Sequence, residues 1–295
     1  MSTQTFDDRD GFIWFDGKLV PWREANVHIL THALHYASSV FEGQRAYGGA
    51  IFKLREHSER LIASGRELGF EIPYKAEEID AANYAVMEAN GLTDCYLRPI
   101  AWRGSEQMGV AAQRTRIHLA VAAWPWPSYF SPEARMKGLR VCMSDWRRPD
   151  PATAPCKAKA AGLYMICTLS KHAADAKGYN DAMMLDWRGQ VAELTGANVF
   201  FVKDREIHTP TPDCFLDGIT RRTVMGLAEQ RGFKVIERVI WPQEMEGFEQ
   251  AFITGTAAEV TPLSEIGPYR FEVGALVKQL MRDYDDVVHG RQVKA

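Results

Sequence analysis

The sequence predicts an α+β fold. Segments with strand and helix patterns follow one another without the regular βαβ alternation of a doubly wound sheet. The chain of 295 residues also lacks the GxGxxG turn of a dinucleotide-binding domain. Its length suits two domains of ordinary size or one large domain.

The first half of the chain predicts a hairpin followed by alternating elements. FIWF and KLV flank Asp16-Gly17, a pair that suits the positive φ angles of a type I′ turn. Gly91 is well placed to cap the C-terminus of a helix. The further elements are a strand at 51–54, helices at 57–68 and 76–90, and strands at 95–102 and 116–124.

A stretch rich in proline and tryptophan after position 124 interrupts this pattern and predicts a linker. We therefore expect a small N-terminal α/β domain at 1–127, an interdomain loop at 128–138 and a large C-terminal domain at 139–295. The later elements are a strand at 139–146, a helix at 165–177, hairpins turning at 187–189 and near 204, a helix at 219–231, strands at 234–240 and 250–256, and a helix at 272–287.

Composition narrows the function classes. A net charge of −3 and a pI near 6.3 give no indication of nucleic-acid or membrane binding. No apolar run is long enough for a transmembrane helix, and the polar N-terminus does not resemble a targeting peptide. Five cysteines without C-x-x-C spacing predict thiols in a reducing cytoplasm, with neither disulfides nor a zinc site. His32 and His35 have a spacing that could bind a metal, but we expect structural roles.

Several groups in the second half could hold a phosphate-bearing aldehyde. Lys159 lies among small residues, which leave room for a flat ligand, and its amine can form a Schiff base. Glu193, followed by Asn198, could keep a ring nitrogen protonated. Two turns, Gly218-Ile219-Thr220 and Thr256-Ala257-Ala258, offer backbone donors for a phosphate.

Each of these residues also has a simpler interpretation. Lys157 competes with Lys159, and composition does not choose between them. Glu193 could be a surface carboxylate at a strand edge, and Thr220 a plain helix N-cap. Arg60, taken alone, is typical of a solvated helix position.

The chain resembles the class IV aminotransferases that use pyridoxal phosphate and, more narrowly, the branched-chain amino-acid aminotransferases. The class pattern is matched at Glu193, Thr195, Asn198, Phe200, Ile207, Thr209, Leu216, Gly218, Ile219 and Arg221. The narrower family is matched by HALHYASSVFEGQRAY at 32–47, YLRP at 96–99 and MGV at 108–110. The resemblance covers nearly the whole chain.

This resemblance implies the two-domain fold of class IV (fold type IV), with pyridoxal 5'-phosphate in an active site between the domains. It implies that Lys159, in the C-terminal domain, rather than Lys157, carries the cofactor as the catalytic residue, and that Glu193 faces the pyridine nitrogen. The implied phosphate ligands are Arg60, Ile219, Thr220 and Thr256, and Tyr164 matches the neighbour of the phenolic oxygen. The implied substrate-binding residues are Tyr36, Phe41, Tyr96, Arg98, Val110, Trp126, Tyr129, Ala257 and Ala258.

The expected reaction is transamination between L-leucine, L-isoleucine or L-valine and 2-oxoglutarate, giving branched-chain 2-oxo acids and L-glutamate. The alternatives within the same fold are a D-amino-acid or (R)-amine transaminase, or a lyase acting on aminodeoxychorismate. The expected partners are these small molecules. Because Tyr36 and Val110 match positions that reach a neighbouring subunit's site, the resemblance also implies a homodimer or a higher homo-oligomer.

Overall fold

The computed structural model describes residues 5–126 and 136–293. Its contacts group the described part of Met1–Pro127 with Ala158–Gly162 in a first compact unit. The described part of Ser128–Lys157 joins Leu163–Ala295 in a second. Only 136–138 of the expected interdomain loop is described, so the domain boundaries remain a prediction.

The first unit contains one sheet, whose described strand pairs are all antiparallel, with helices packed against it. Its strands are β1 (Phe12–Phe15), β2 (Lys18–Pro21), β3 (Ser39–Phe41), β4 (Gln44–Tyr47), β5 (Ala50–Ile51), β6 (Cys95–Arg103) and β7 (Ile117–Pro125). Its helices are α1 (His32–Tyr36), α2 (Leu54–Glu67) and α3 (Ala76–Ala89). The described strands run in the order β2-β1-β7-β6-β4-β5, and β3 also pairs with β6.

Local sequence explains most boundaries in this unit. The hairpin between β1 and β2 is confirmed, because Asp16 and Gly17 have φ angles of 46° and 95°. The predicted strand at 51–54 is wrong beyond Ile51: Lys53 adopts a left-handed φ of 54°, which ends the extended backbone, and α2 begins at Leu54.

Side chains along β6 point alternately toward the core of the first unit and toward the opposite face of the sheet. Leu97 packs in a core cluster that includes Val86 of α3 and Val121 of β7. Because successive strand side chains point to opposite faces, Tyr96 and Arg98 lie on the face away from that core. This face carries the aromatic and cationic side chains described below.

The second unit is built on a larger sheet. Its strands are β8 (Leu139–Met143), β9 (Asp181–Leu185), β10 (Val191–Leu194), β11 (Asn198–Lys203), β12 (Glu206–Pro210), β13 (Lys234–Arg238), β14 (Gln250–Gly255), β15 (Glu259–Ile266) and β16 (Tyr269–Arg270). Its helices are α4 (Met165–Ala176), α5 (Ile219–Gln230) and α6 (Ala275–Val288). The order is β10-β9-β8-β15-β14-β11-β12-β13, and the extra pairing of β10 with β11 joins β8, β9, β10, β11, β14 and β15 into a closed ring.

Strand β15 was not predicted. It contains Pro262, which has no N–H to donate to a neighbouring strand. The structure accommodates the proline because β15 pairs with β8 only from Leu263 onward, while Pro262 is opposite Phe252 of β14. Among the described residues, every helix is too short or too polar to traverse a lipid bilayer. All five cysteines are buried as thiols.

Candidate active site

The segment around Lys159 is held from two sides within the first unit. The backbone N–H of Lys159 donates to Ser64 Oγ at 3.0 Å, and its carbonyl accepts from the N–H of Phe41 at 3.1 Å. The amine lies 5.0 Å from the centre of the Phe41 ring. Lys159 is half-buried whereas Lys157 is exposed. Lys159 therefore has the fixed backbone and partial burial that a reacting amine requires.

Arg60, on α2, is not a solvated helix residue. Its Nε and Nη2 donate to the two carboxylate oxygens of Glu42 at 2.6 and 2.9 Å. Glu42 is completely buried, and Nδ1 of His57 lies 2.7 Å from its Oε2. Burial opposes the charge of Glu42, but Arg60 and His57 outweigh burial and hold the pKa of this carboxyl well below its ordinary value.

Aromatic side chains and one guanidinium share the outer face of β6. Nη2 of Arg98 donates to the hydroxyl of Tyr96 at 3.1 Å, and the guanidinium lies 4.7 Å from the centre of the Phe41 ring. The rings of Tyr96 and Trp126 are 5.1 Å apart. A Cβ at Gly43 would come within 2.0 Å of the Tyr96 hydroxyl, so only glycine permits this packing. The face therefore combines an apolar surface with a cation.

Tyr36 and Val110 are both exposed, at 45% and 88%. His32 anchors the segments that carry them. Its ring stacks on Tyr36 at 4.5 Å, its Nε2 donates to the carbonyl of Gly109 at 2.9 Å, and its Nδ1 accepts from the hydroxyl of Ser38 at 2.6 Å. Both ring nitrogens of His32 are thus used in structural hydrogen bonds.

Glu193 lies on β10 in the second unit and is only 9% exposed. Its Oε2 accepts from the side-chain amide of Asn198, its partner on β11, at 3.2 Å. Nε of Arg148 lies 3.4 Å from Oε1, and the Arg148 side chain is only 5% exposed. Glu193 is therefore an inward-facing carboxylate with a cation beside it, not a surface carboxylate.

Arg148 was missed in the sequence because it belongs to no recognised pattern and precedes Glu193 by a long interval. Its Nη1 donates to the carbonyl of Leu163 and to the sulfur of Cys167, both at 3.5 Å. Burial disfavours the charge of Arg148, but the carboxylate of Glu193 outweighs burial and raises the pKa of Arg148 above its ordinary value. A run of two arginines before a proline was the only local signal.

Asn198 links Glu193 to the start of α5. Its side-chain amide also donates to the carbonyl of Leu216 at 3.0 Å. A Cβ at Gly218 would come within 2.3 Å of Asn198 Oδ1, so the chain can approach this closely only as glycine. The carboxylate and the helix terminus are consequently fixed relative to each other.

The N-terminus of α5 and a turn of the same unit offer donors for an anion. Helix α5 begins at Ile219 with no side-chain cap, and Ile219 and Thr220 are 3% and 5% exposed. Backbone N–H groups at such a terminus favour phosphate. Thr256, Ala257 and Ala258 form the turn between β14 and β15. Just before it, the buried hydroxyl of Thr254 makes no hydrogen bond with the described residues.

Of the two remaining predicted residues, the structure describes only one. Tyr164 is half-buried and immediately precedes α4. Tyr129 lies outside the described residues.

Comparison with known proteins finds relatives that match almost the whole chain. Residues 39–266 match the family model "Amino-transferase class IV". The branched-chain-amino-acid aminotransferase of Pseudomonas aeruginosa is 42% identical over 291 residues, which cover 96% of this chain and 95% of the relative. A solved branched-chain amino acid aminotransferase of T.th. with pyridoxamine 5'-phosphate has a TM-score of 0.93 and 39% identity, covering 96% of each chain. The same relative complexed with N-(5'-phosphopyridoxyl)-L-glutamate has a TM-score of 0.91 and 39% identity, also over 96% of each chain.

Proposed function

This chain belongs to the class IV aminotransferase family, and from that premise we propose that it is a branched-chain-amino-acid transaminase. It transfers the amino group of L-leucine, L-isoleucine or L-valine to 2-oxoglutarate and uses pyridoxal 5'-phosphate as its cofactor. The single observation that carries the proposal is the inward-facing Glu193, which Asn198 ties to the N-terminus of α5. A ring that carries both a basic nitrogen and a phosphate suits this arrangement, because the nitrogen can face Glu193 and the phosphate can lie at the N-terminus of α5.

The residues of the second unit fit the cofactor by their chemistry. When bound, the cofactor accepts the amino group and stabilises the electron pair left on the substrate Cα. Glu193 would accept a hydrogen bond from the ring nitrogen, and the Arg148 guanidinium lies beside it at 3.4 Å. The amides of Ile219 and Thr220 and the turn at Thr256 bind the phosphate, while the Tyr164 hydroxyl contacts the phenolic oxygen.

Lys159 and Arg60 supply the remaining contacts to the cofactor. The Lys159 amine would hold the cofactor and, once freed by the substrate, would take up the proton of the substrate Cα as a base and later return a proton as an acid. Arg60 binds the phosphate through its guanidinium. The backbone hydrogen bonds of Lys159 to Ser64 and Phe41 keep this amine in place during the transfer.

The substrate pocket must accept an apolar side chain and a dicarboxylate in turn. Phe41, Tyr96 and Trp126 supply the apolar wall, together with Ala257 and Ala258. Arg98 pairs with the distal carboxylate of glutamate or 2-oxoglutarate, because its planar guanidinium offers several donors. A solved relative is complexed with N-(5'-phosphopyridoxyl)-L-glutamate, which supports a substrate with a distal carboxylate as the partner of Arg98.

We also propose a homo-oligomer in which Tyr36 and Val110 reach a neighbouring copy's site. Their exposure supports this, and so do Ile29 and Leu34, which are 73% and 60% exposed on the same segment as Tyr36. Co-expression of Val110→Asp with Lys159→Ala tests it. If the site is shared, mixed oligomers regain activity that neither variant has alone; if each site is built from one chain, they do not. The buried thiols support a reducing, cytoplasmic location, which cell fractionation would test.

A donor panel tests the reaction. Purified protein is assayed with 2-oxoglutarate and L-leucine, L-isoleucine, L-valine, D-alanine or (R)-phenylethylamine. We expect turnover with the three L-amino acids, and turnover confined to D-alanine or the (R)-amine would overturn the assignment. Borohydride reduction with peptide mapping should label Lys159, and Glu193→Gln should slow the single-turnover rate by orders of magnitude. Label on Lys157 alone, or an unchanged single-turnover rate, would contradict the residue roles.

A further inference from the structure

A buried charged cluster beside Arg60 has no role in the reaction as described so far. Glu42 is 0% exposed, and both of its oxygens accept from Arg60, at 2.6 and 2.9 Å. His57, 2% exposed, adds a contact of 2.7 Å to Oε2. A fully buried carboxylate is costly unless it is paired and hydrogen-bonded, so this cluster is a specific arrangement rather than a solvated ion pair.

Helix α2 joins this cluster to the Lys159 segment. His57, Arg60 and Ser64 are three and four residues apart, which places them on one face of the helix. Ser64 Oγ accepts from the Lys159 N–H. Glu42 directly follows Phe41, whose N–H donates to the Lys159 carbonyl. The same two pieces of chain therefore fix both the Lys159 backbone and the Arg60 side chain.

We propose that Glu42, oriented by His57, is a positioning residue that holds the Arg60 guanidinium in the direction required by the cofactor phosphate. The proposal rests on the phosphate role given to Arg60 under the proposed function. Glu42 binds the guanidinium along the edge formed by Nε and Nη2, so the planar group cannot rotate. The Arg60 side chain remains 15% exposed, whereas Glu42 is sealed from solvent behind it.

Positioning and plain electrostatics predict opposite results when the charge of Glu42 is removed. Glu42→Gln deletes a negative charge next to a phosphate-binding cation. If only charge mattered, a phosphate dianion would bind more tightly to the variant. If Glu42 fixes the guanidinium, the phosphate binds more weakly, because Arg60 must be ordered upon binding.

The experiment compares pyridoxal 5'-phosphate with pyridoxal, which lacks the phosphate, on the full-length protein. Affinities are measured for the wild type, Glu42→Gln, Glu42→Asp, Arg60→Met and the double variant Glu42→Gln/Arg60→Met. We expect Glu42→Gln to weaken the phosphorylated ligand about ten- to hundredfold, as for loss of a charged hydrogen bond. Affinity for pyridoxal should change less than about twofold, and the double variant should be no weaker than Arg60→Met.

A matched control is available within the chain. Asp283 is 1% exposed and accepts from Nε and Nη2 of Arg231 at 2.9 and 2.6 Å. Arg231 follows the C-terminus of α5, a helix of 12 residues, so it lies about 18 Å along the axis from the phosphate-binding terminus. Asp283→Asn should lower thermal stability but leave both affinities unchanged. The phosphorus NMR shift of bound cofactor should move in Glu42→Gln and not in Asp283→Asn.

The outcomes distinguish failure of the positioning role of Glu42 from failure of the phosphate role of Arg60. If Arg60→Met weakens the phosphorylated ligand selectively but Glu42→Gln leaves it unchanged or tighter, the positioning role is overturned and the proposed function stands. If Arg60→Met affects both ligands equally, or neither, the phosphate role of Arg60 fails, and the positioning role fails with it. Should Glu42→Gln not fold, Glu42→Asp is decisive. It keeps the charge but shortens the side chain, so a selective loss supports positioning, and wild-type affinity overturns it.

Discussion

Replacing Arg148 with methionine tests whether Glu193 is poised for a cationic ring. Arg148→Met keeps an unbranched apolar side chain in place of the stem but removes the guanidinium that lies 3.4 Å from Glu193. The carboxylate, 9% exposed, keeps its hydrogen bond from Asn198 and loses its cation. The protein must then either bury an unpaired charge or rearrange around it.

The geometry sets the size of the effect. Two unit charges 3.4 Å apart attract by about 5 kcal/mol at an effective dielectric constant of about 20. Desolvation of the two ions offsets part of this attraction. Removal of one partner from a buried pair nevertheless costs about 3–5 kcal/mol, because the other charge stays buried. We therefore expect the free energy of unfolding of the cofactor-free protein to fall by about 3–5 kcal/mol in Arg148→Met.

A bound pyridinium would face Glu193 as a second cation, so the deficit should be smaller in the cofactor-loaded protein. The assay is urea unfolding of the wild type and Arg148→Met, each with and without pyridoxal 5'-phosphate. The control is Arg231→Met, which removes the cation from the buried Asp283. Its deficit should be the same with and without cofactor, because Asp283 faces no ligand in the proposed site.

Equal deficits for Arg148→Met in the two states would refute the reasoning, since they would show that no ligand cation reaches Glu193. The absence of any deficit would show instead that the ion pair contributes nothing to stability. If the cofactor also reduces the deficit of Arg231→Met, then the smaller deficit of Arg148→Met reflects general stabilisation by the cofactor.

Three further predictions concern single residues. Arg98→Met should weaken glutamate and 2-oxoglutarate by about 2–5 kcal/mol but affect L-leucine far less, and stopped-flow half-reactions that show equal losses would refute this. The pKa of Glu42 lies below its ordinary value. Glu42 therefore contributes its full stabilisation at a pH above the ordinary pKa, and this stabilisation is lost as the pH falls toward the folded-state pKa. The difference in urea stability between wild type and Glu42→Gln should therefore shrink below about pH 4.5, and a constant difference would contradict it. Gly218→Ala should displace the Asn198 amide, since its Cβ would lie 2.3 Å from Oδ1; it should weaken cofactor binding in equilibrium titrations, and unchanged affinity would show that the Asn198 contact is dispensable.

Sequence patterns predicted elements that local chemistry decides. The hairpin at Asp16-Gly17 follows from two residues that tolerate positive φ. The turn near Asp204 is confirmed, with φ angles of 50° and 62° at Asp204 and Arg205, although only the aspartate is a residue type that favours positive φ. The final helix was placed at 272–287 and runs from Ala275 to Val288, a small shift that reflects how weakly sequence marks a helix start after Gly274.

Contacts between distant segments could not be predicted. Arg148 and Glu193 approach because β8 and β9 are parallel neighbours, with β10 next to β9, and no spacing rule along the chain encodes that order. Strand β15 was not predicted, and its Pro262 is tolerated because β15 pairs with β8 only from Leu263 onward. The motif containing Glu42 was recognised as a family resemblance, but its physical meaning needed the position of Arg60 on α2.

The two ion pairs share a physical logic. In each, the residue assigned to the cofactor is backed by an opposite charge: Glu193 by Arg148, and Arg60 by Glu42. Each pair also closes within a single compact unit, so each geometry is fixed by the contacts of that unit alone. A pre-paired ion is already desolvated and ordered when the ligand arrives, and less of the binding free energy is then needed to organise the site. Buried ion pairs are weak sources of stability, so the better reason for these two pairs is that they hold Glu193 and Arg60 in defined directions.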